Sequence, residues 1–204
     1  MTYEYILAGL PELKAGSDAP ISLEKLDEFL DEQLAASDKK LLDLLRVPID
    51  AETLEQGLSV KNRFIRDWFV FNRDMNNVLV AAICRKHGFD VKQQIVGDGE
   101  VAEQLRTHTQ QKDFGLNEVL DDAQPLLALA QIEDLMAREK AMDAIRFEWL
   151  QSRTEFDFFS AEMVFAYYLE AQMLHRWSLL TVEEGEKVFR ALVADMKKGV
   201  RLDA

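Results

Sequence analysis

The chain has 204 residues, 48% apolar and 30% charged, with 37 acidic against 24 basic side chains for a net charge of -13. That composition is ordinary for a folded domain, and the negative charge opposes binding to nucleic-acid phosphates or anionic lipid head groups, so a basic protein surface is the better partner. A lone cysteine, Cys84, excludes an intramolecular disulfide framework, and the longest apolar run in the helical region, Val78 to Cys84, falls far short of the roughly 20 residues a membrane-spanning helix requires.

The opening MTYEYILAGLPELK lacks the basic region and long apolar core of a secretory leader, which makes a cytoplasmic location the expectation. Thr2 to Leu10 alternates loosely and predicts a short strand or extended segment, ended by Pro11. A polar loop from Lys14 to Pro20 follows. Ser22, with Glu24 in the first turn, then opens a helix carrying Leu23, Leu26, Phe29, Leu30 and Leu34 at helical spacing. Leu41, Leu42, Leu44 and Leu45 suggest a second short helix ending before Pro48, because a residue ahead of proline avoids the helical region. Asp50 to Gln56 reads as a turn or brief helix closed by Gly57.

Ser59 to His87 carries the longest clean periodicity, with Phe64, Trp68, Phe71, Met75, Leu79, Ala82 and Ile83 on one stripe. It predicts a single helix roughly 43 Å long at 1.5 Å per residue, stopped by Gly88 as C-cap. Phe89 to Gly99 is weakly patterned and predicts a loop with room for a short extended piece. Its Gly-Asp-Gly, residues 97 to 99, lacks the strand, lysine and helix of a phosphate loop and reads as a turn. Val101 to Arg106, Gly115 to Leu120 and Pro125 to Leu135 are short helical pieces.

The stretch from Arg138 to Leu180 predicts two apolar-faced helices around which the rest is organised. On the first, about Ile132 to Gln151, Leu135, Met142, Ile145, Trp149 and Leu150 share a side, with Arg146 between Met142 and Leu150. On the second, Phe159, Met163, Ala166, Glu170, Leu174 and Trp177 fall in one arc about 80° wide. Phe158, Phe165, Tyr168 and Leu169 leave that helix little polar circumference, as in one surrounded by others. A buried carboxylate without a partner is costly, so Glu170 is expected to meet Arg146 in a structural ion pair between the two helices. A closing helix, Thr181 to Lys197, begins with Thr181 as N-cap and Glu184 completing a capping box. The sum is an all-α multi-helix bundle of seven to nine helices with at most one marginal N-terminal strand, a single domain over 1–204 with any subdivision near 89–125.

Chemistry is sparse. Three residues before His87, His108 and His175 stand Cys84, Leu105 and Gln172, so the Glu-x-x-His motif of a carboxylate-bridged metal bundle is missing. Cys84 and His87 lie one helical turn apart, but Cys84 is expected off the main stripe and no acid is placed to orient His87. Glu139, Asp143, Glu148, Glu155, Asp157 and Glu162 are interleaved with arginines, the pattern of a solvated face with ion pairs. No catalytic, metal-binding or cofactor-binding residue is assigned and no cofactor is expected; the reading is a non-enzyme.

Two stretches carry a resemblance. Asp74 to Asp90, DMNNVLVAAICRKHGFD, resembles a D-x-x-N, apolar run, Arg, Lys, Gly pattern in the helical repeats of the C (or d) subunit of V-type and A-type rotary ATPases, through Asp74, Asn77, Arg85, Lys86 and Gly88. Residues 141 to 189, together with an opening set by Tyr3, Tyr5, Ala8, Leu10 and Pro11, are similar to a shorter bacterial family associated with V-type ATPase genes. The resemblance implies a non-catalytic helical socket between the central stalk and the membrane rotor ring of an ion-transporting ATPase. Its partners would be other subunits of that complex, and it would be cytoplasmic, reaching the membrane only through them. Buried aromatics such as Trp68, Trp149 and Trp177 would supply the stiffness such a coupling element needs. Glu148, Arg153 and Glu162 are nominated as partner-binding residues. The alternatives are a small helical metal-binding or hydrolytic enzyme using the acidic central region, or an unrelated helical interaction or regulatory protein.

Overall fold

The computed structural model describes residues 3–120, 123–157 and 159–179 and is all-helical, with no strand among the described residues. Its helices are α1 (Tyr3–Ala8), α2 (Leu23–Gln33), α3 (Ala36–Arg46), α4 (Ala51–Ser59), α5 (Arg63–His87), α6 (Glu100–Thr107), α7 (Gln124–Leu129), α8 (Leu135–Thr154) and α9 (Ala161–Leu179), with a 3-10 turn at Leu116–Glu118. The predicted closing helix, Thr181 to Lys197, and Phe158 lie outside the described residues.

Helix starts follow local chemistry. The side chains of Ser22, Asp50, Asn62 and Asp134 each accept a hydrogen bond from the backbone N–H three residues on, which satisfies one of the donors a helix leaves open at its first turn. Ser160 does the same for Met163 N–H ahead of α9. Thr53 N–H, bonded to the Asp50 carboxylate at 2.8 Å, holds that carboxyl below the usual range. At the far end of α5, Gly88 takes the left-handed conformation at φ 75°, and the Phe89 N–H reaches back to the Cys84 carbonyl at 2.8 Å, as the stripe's end predicts.

The chain divides into two compact units, one holding α1, α2 and α9 and the other α3 to α8. Their boundaries fall beside Ala35 and Asp157, away from the 89–125 segment where a subdivision was expected. In the first unit α1 and α2 pack on α9. Ile6, Leu26 and Leu30 are buried there with Phe165 and Tyr168, and the Tyr167 hydroxyl donates to the Pro11 carbonyl at 2.8 Å. The N-terminal alternation was too short to define a strand: Tyr3–Ala8 forms a helical turn and a half that buries Ile6, and Pro11 follows its end. Phe159 does not join the arc expected of it, because it precedes the Ser160 cap and is exposed.

In the second unit α5 is the hub, packed against α4, α6 and α7, with α8 on α7. At 25 residues it is about 38 Å long at 1.5 Å per residue. Its predicted stripe is broadly buried, but burial extends further round the helix to Ile65, Phe69, Val78, Ala81 and Cys84. Cys84, expected off the stripe, therefore sits in the core. Gly57 does not end a helix either. It lies inside α4, buried, where the Phe69 ring presses so close that a Cβ would collide with it.

The 89–99 connection contains no strand, yet it is pinned. Asn77 Nδ2 donates to the Val96 carbonyl and Val96 N–H donates to Asn77 Oδ1, each at 2.9 Å. Arg106 donates to the carbonyls of Ile95 and Gly97 at 2.8 and 2.9 Å. Gly97 and Gly99, at φ 70° and 133°, turn the chain against the Arg73 side chain, so the Gly-Asp-Gly is a clamped turn.

Candidate functional site

The site with the most character lies in the second unit, on the faces of α5 and α8 with α7 at its side. Trp149 of α8 stacks on Phe71 of α5, ring centroids 5.0 Å apart and planes 17° from parallel. Phe64 and Trp68 back it at 5.8 and 5.6 Å. These rings come together because α5 repeats an aromatic each turn and α8 presents its tryptophan where that repeat passes. Phe64 and Trp68 are buried, whereas Phe71 and Trp149 are only partly covered and form the floor of a groove of about 630 Å³. Ile145, Leu126 and Pro125 complete the apolar lining.

The rim is charged. Arg63 pairs with Asp67 at 3.5 Å, Arg153 lies over the Trp149 ring at 5.2 Å, and Glu148 is exposed beside them. Asp74 reaches the same groove with its carboxylate 2.8 Å from Arg73, its side chain only 14% exposed. Desolvation raises its pKa, and the charge of Arg73 opposes that rise. Of the nominated partner-binding residues, the structure thus brings Glu148 and Arg153 together on one groove. Glu162 belongs to the other unit, in the first turn of α9.

Arg146 takes partners other than the one expected. Its Nε donates to Asn72 Oδ1 at 2.9 Å and its Nη1 to Asp143 Oδ1 at 2.7 Å, all within the second unit. Asn72 and Asp143 are buried at 1% and 4% exposure, so Asp143 departs from the solvated acidic face on which the sequence placed it. Glu170 lies in the first unit, where burial pushes its carboxyl up to about 7, and its charge adds to the desolvation that lifts Tyr167 to about 12. Sequence reasoning missed Asn72 because an asparagine among aromatics gives no sign of being buried. Its position one turn after Trp68, whose carbonyl its amide holds at 2.9 Å, was the available signal.

No three His, Cys, Asp or Glu side chains converge in a metal-holding group among the described residues. His87 stacks on Phe89 and is exposed, while Cys84 is buried below. The residues of the D-x-x-N to Gly pattern mostly have local duties: Asn77 clasps Val96, Arg85 braces a neighbouring loop, and Gly88 caps α5.

The described residues define an all-helical protein with a partly exposed aromatic groove. The chain belongs to the family of unknown function DUF2764, whose description matches residues 51–200. Comparison with curated proteins and with solved structures gives no match.

Proposed function

We propose that this protein is a non-catalytic subunit of a V/A-type rotary ATPase, similar to the C (d) subunit, that holds a helix of the central stalk in the α5–α8 groove and couples the stalk to the membrane rotor ring. The observation that carries the reading is the Phe71–Trp149 floor set beside the desolvated Asp74 carboxylate. An apolar-striped helix with lysine or arginine flanking its stripe suits this surface: the stripe covers the rings, and a cation meets the exposed Glu148 at the rim. Asp67 and Glu148 extend the acidic flank, and the net charge of -13 favours encounter with a basic surface. The likeness of residues 74–90 and 141–189 to the ATPase-associated proteins supplies the assembly, and the groove supplies a means of gripping it. No described helix is long and apolar enough to cross a membrane, and in this reading the rotor ring is reached through partner subunits.

The test is recovery of tagged protein from native membrane extracts. Rotor-ring and stalk subunits should co-purify, and the charge swap Glu148→Lys with Arg153→Glu, which leaves the net charge unchanged, should release them. Recovery without those subunits overturns the ATPase reading. Undiminished recovery with the swapped variant overturns the groove as the grip.

A further inference from the structure

A second concavity of about 870 Å³ opens where the carboxyl end of α5 meets α7 and the loop before the 3-10 turn. Against the acidic background of the chain it gathers three cations, Arg85, Lys86 and Lys112. From this geometry we infer that the concavity binds a small organic phosphate, with the phosphate on the three cations and the organic body on the α7 side. The inference is independent of the ATPase reading.

The cationic wall is built rather than incidental. Arg85 donates from Nη1 to the Gln111 carbonyl at 2.7 Å and from Nη2 to the Lys112 carbonyl at 2.8 Å, and its guanidinium lies 4.0 Å from the centre of the Phe114 ring. Those two bonds use two of five N–H donors and leave others for a ligand. Phe114 itself has φ 56°, a conformation bulky residues rarely adopt, and it is fully buried. Such strain persists only where the surroundings impose it, and here Arg85 and the core together hold the loop that carries Lys112. A strained, braced loop presenting a cation to a cavity is the arrangement of a preformed site.

One carboxylate, Asp113, also lines the concavity and keeps its charge, so the three cations outnumber it. Asp113 accepts from Gly115 N–H at 3.1 Å and from Asn117 Nδ2 at 2.6 Å. At the end of α5 the Gly88 N–H covers the Arg85 carbonyl and the Phe89 N–H that of Cys84. Glu133 approaches Lys86 only at 3.8 Å with its side chain 88% exposed, an exposed pair that yields readily to a stronger acceptor. Three cations lining one concavity, with the Arg85 guanidinium tethered, suit a group bearing more than one negative charge, which favours phosphate over a single carboxylate.

The volume indicates that phosphate is only part of the ligand, because pockets for small organic molecules span about 300–1,000 Å³ and this cavity lies toward the upper end. Ala82, Leu127 and Ala128 give an apolar floor, and Gln131 brings an amide that combines donors with an acceptor, as the edge of a heterocycle or a sugar requires.

Titration calorimetry of the intact chain at low salt tests this with ATP, glucose 6-phosphate, pyrophosphate and adenosine. ATP or glucose 6-phosphate should bind with a sub-millimolar Kd, about tenfold or more tighter than pyrophosphate or adenosine, and the affinity should fall as salt is added. The double variant Lys86→Ala with Lys112→Ala should lose at least about tenfold in affinity while its circular dichroism and melting curve stay unchanged, since neither lysine is in the core. Absence of binding by both organic phosphates at about 1 mM, or equal affinity in the double variant, overturns the site. Pyrophosphate binding as tightly as either organic phosphate overturns the organic body, and adenosine binding as tightly as ATP overturns the role of the cations.

Discussion

Arg146 ties α8 to α5 by donating from Nε to Asn72 Oδ1 at 2.9 Å while its Nη1 holds Asp143 at 2.7 Å. Arg146→Met should therefore destabilise the protein by about 3 kcal/mol, chiefly by leaving the Asp143 carboxylate buried without its guanidinium. Pairing it with Asp143→Leu should recover part of the loss, because the buried carboxylate that lost its guanidinium is gone. Urea denaturation midpoints of the single and double variants measure both.

Glu170 gives the unit of α1, α2 and α9 a pH dependence whose sign follows from its raised pKa. The folded carboxyl titrates at about 7 and the unfolded one near 4.5, so the folded state binds the proton more tightly. Stability from this group is fully present below pH 4.5 and is lost as pH rises through about 7. With partial exposure discounted, the loss is on the order of 2 kcal/mol. Glu170→Gln should raise the melting temperature at pH 8 and leave it nearly unchanged at pH 4, so the difference from wild type traced between those values is the measurement.

Gly57 reverses the usual rule for a glycine within a helix. Alanine ordinarily stabilises such a position by about 1 kcal/mol, but here its methyl would meet the Phe69 ring, and overpacking of this kind costs about 1–3 kcal/mol. Gly57→Ala is expected to unfold at lower urea, and adding Phe69→Leu should restore part of the loss.

What the sequence made legible divides along a physical line. The stripe on α5, its Gly88 stop and the two helices of the 138–180 stretch were readable, because period and caps are local properties. Partners were not. A helical wheel placed Arg146 and Glu170 on inward sides but could not say which neighbouring helix each side meets, and for Arg146 the answer across the packing is Asn72 of α5. Gly57 carried two meanings, cap or close approach, and only the position of Phe69 decides between them. The groove was hidden for a related reason: Phe71 and Trp149 read as interior, and no pattern distinguishes a ring that closes a core from one that floors an opening.

Asn77→Ala should loosen the 89–99 connection without disturbing α5. The variant would leave the Val96 N–H and carbonyl without their partner, at a cost of about 1–3 kcal/mol if both stay dry. Hydrogen exchange read by mass spectrometry should show faster labelling of a peptide spanning residues 89–99, while peptides from the middle of α5 keep their protection.

The two bonds between Asn77 and Val96 are those a residue in a ladder exchanges with the residue opposite, and here a single side chain supplies them from a helix. Val96 is itself 56% exposed. Without that amide, the donor and acceptor beside this exposed valine would have to be met by water. Asn77 thereby closes both backbone groups of a loop residue whose apolar side chain already faces water.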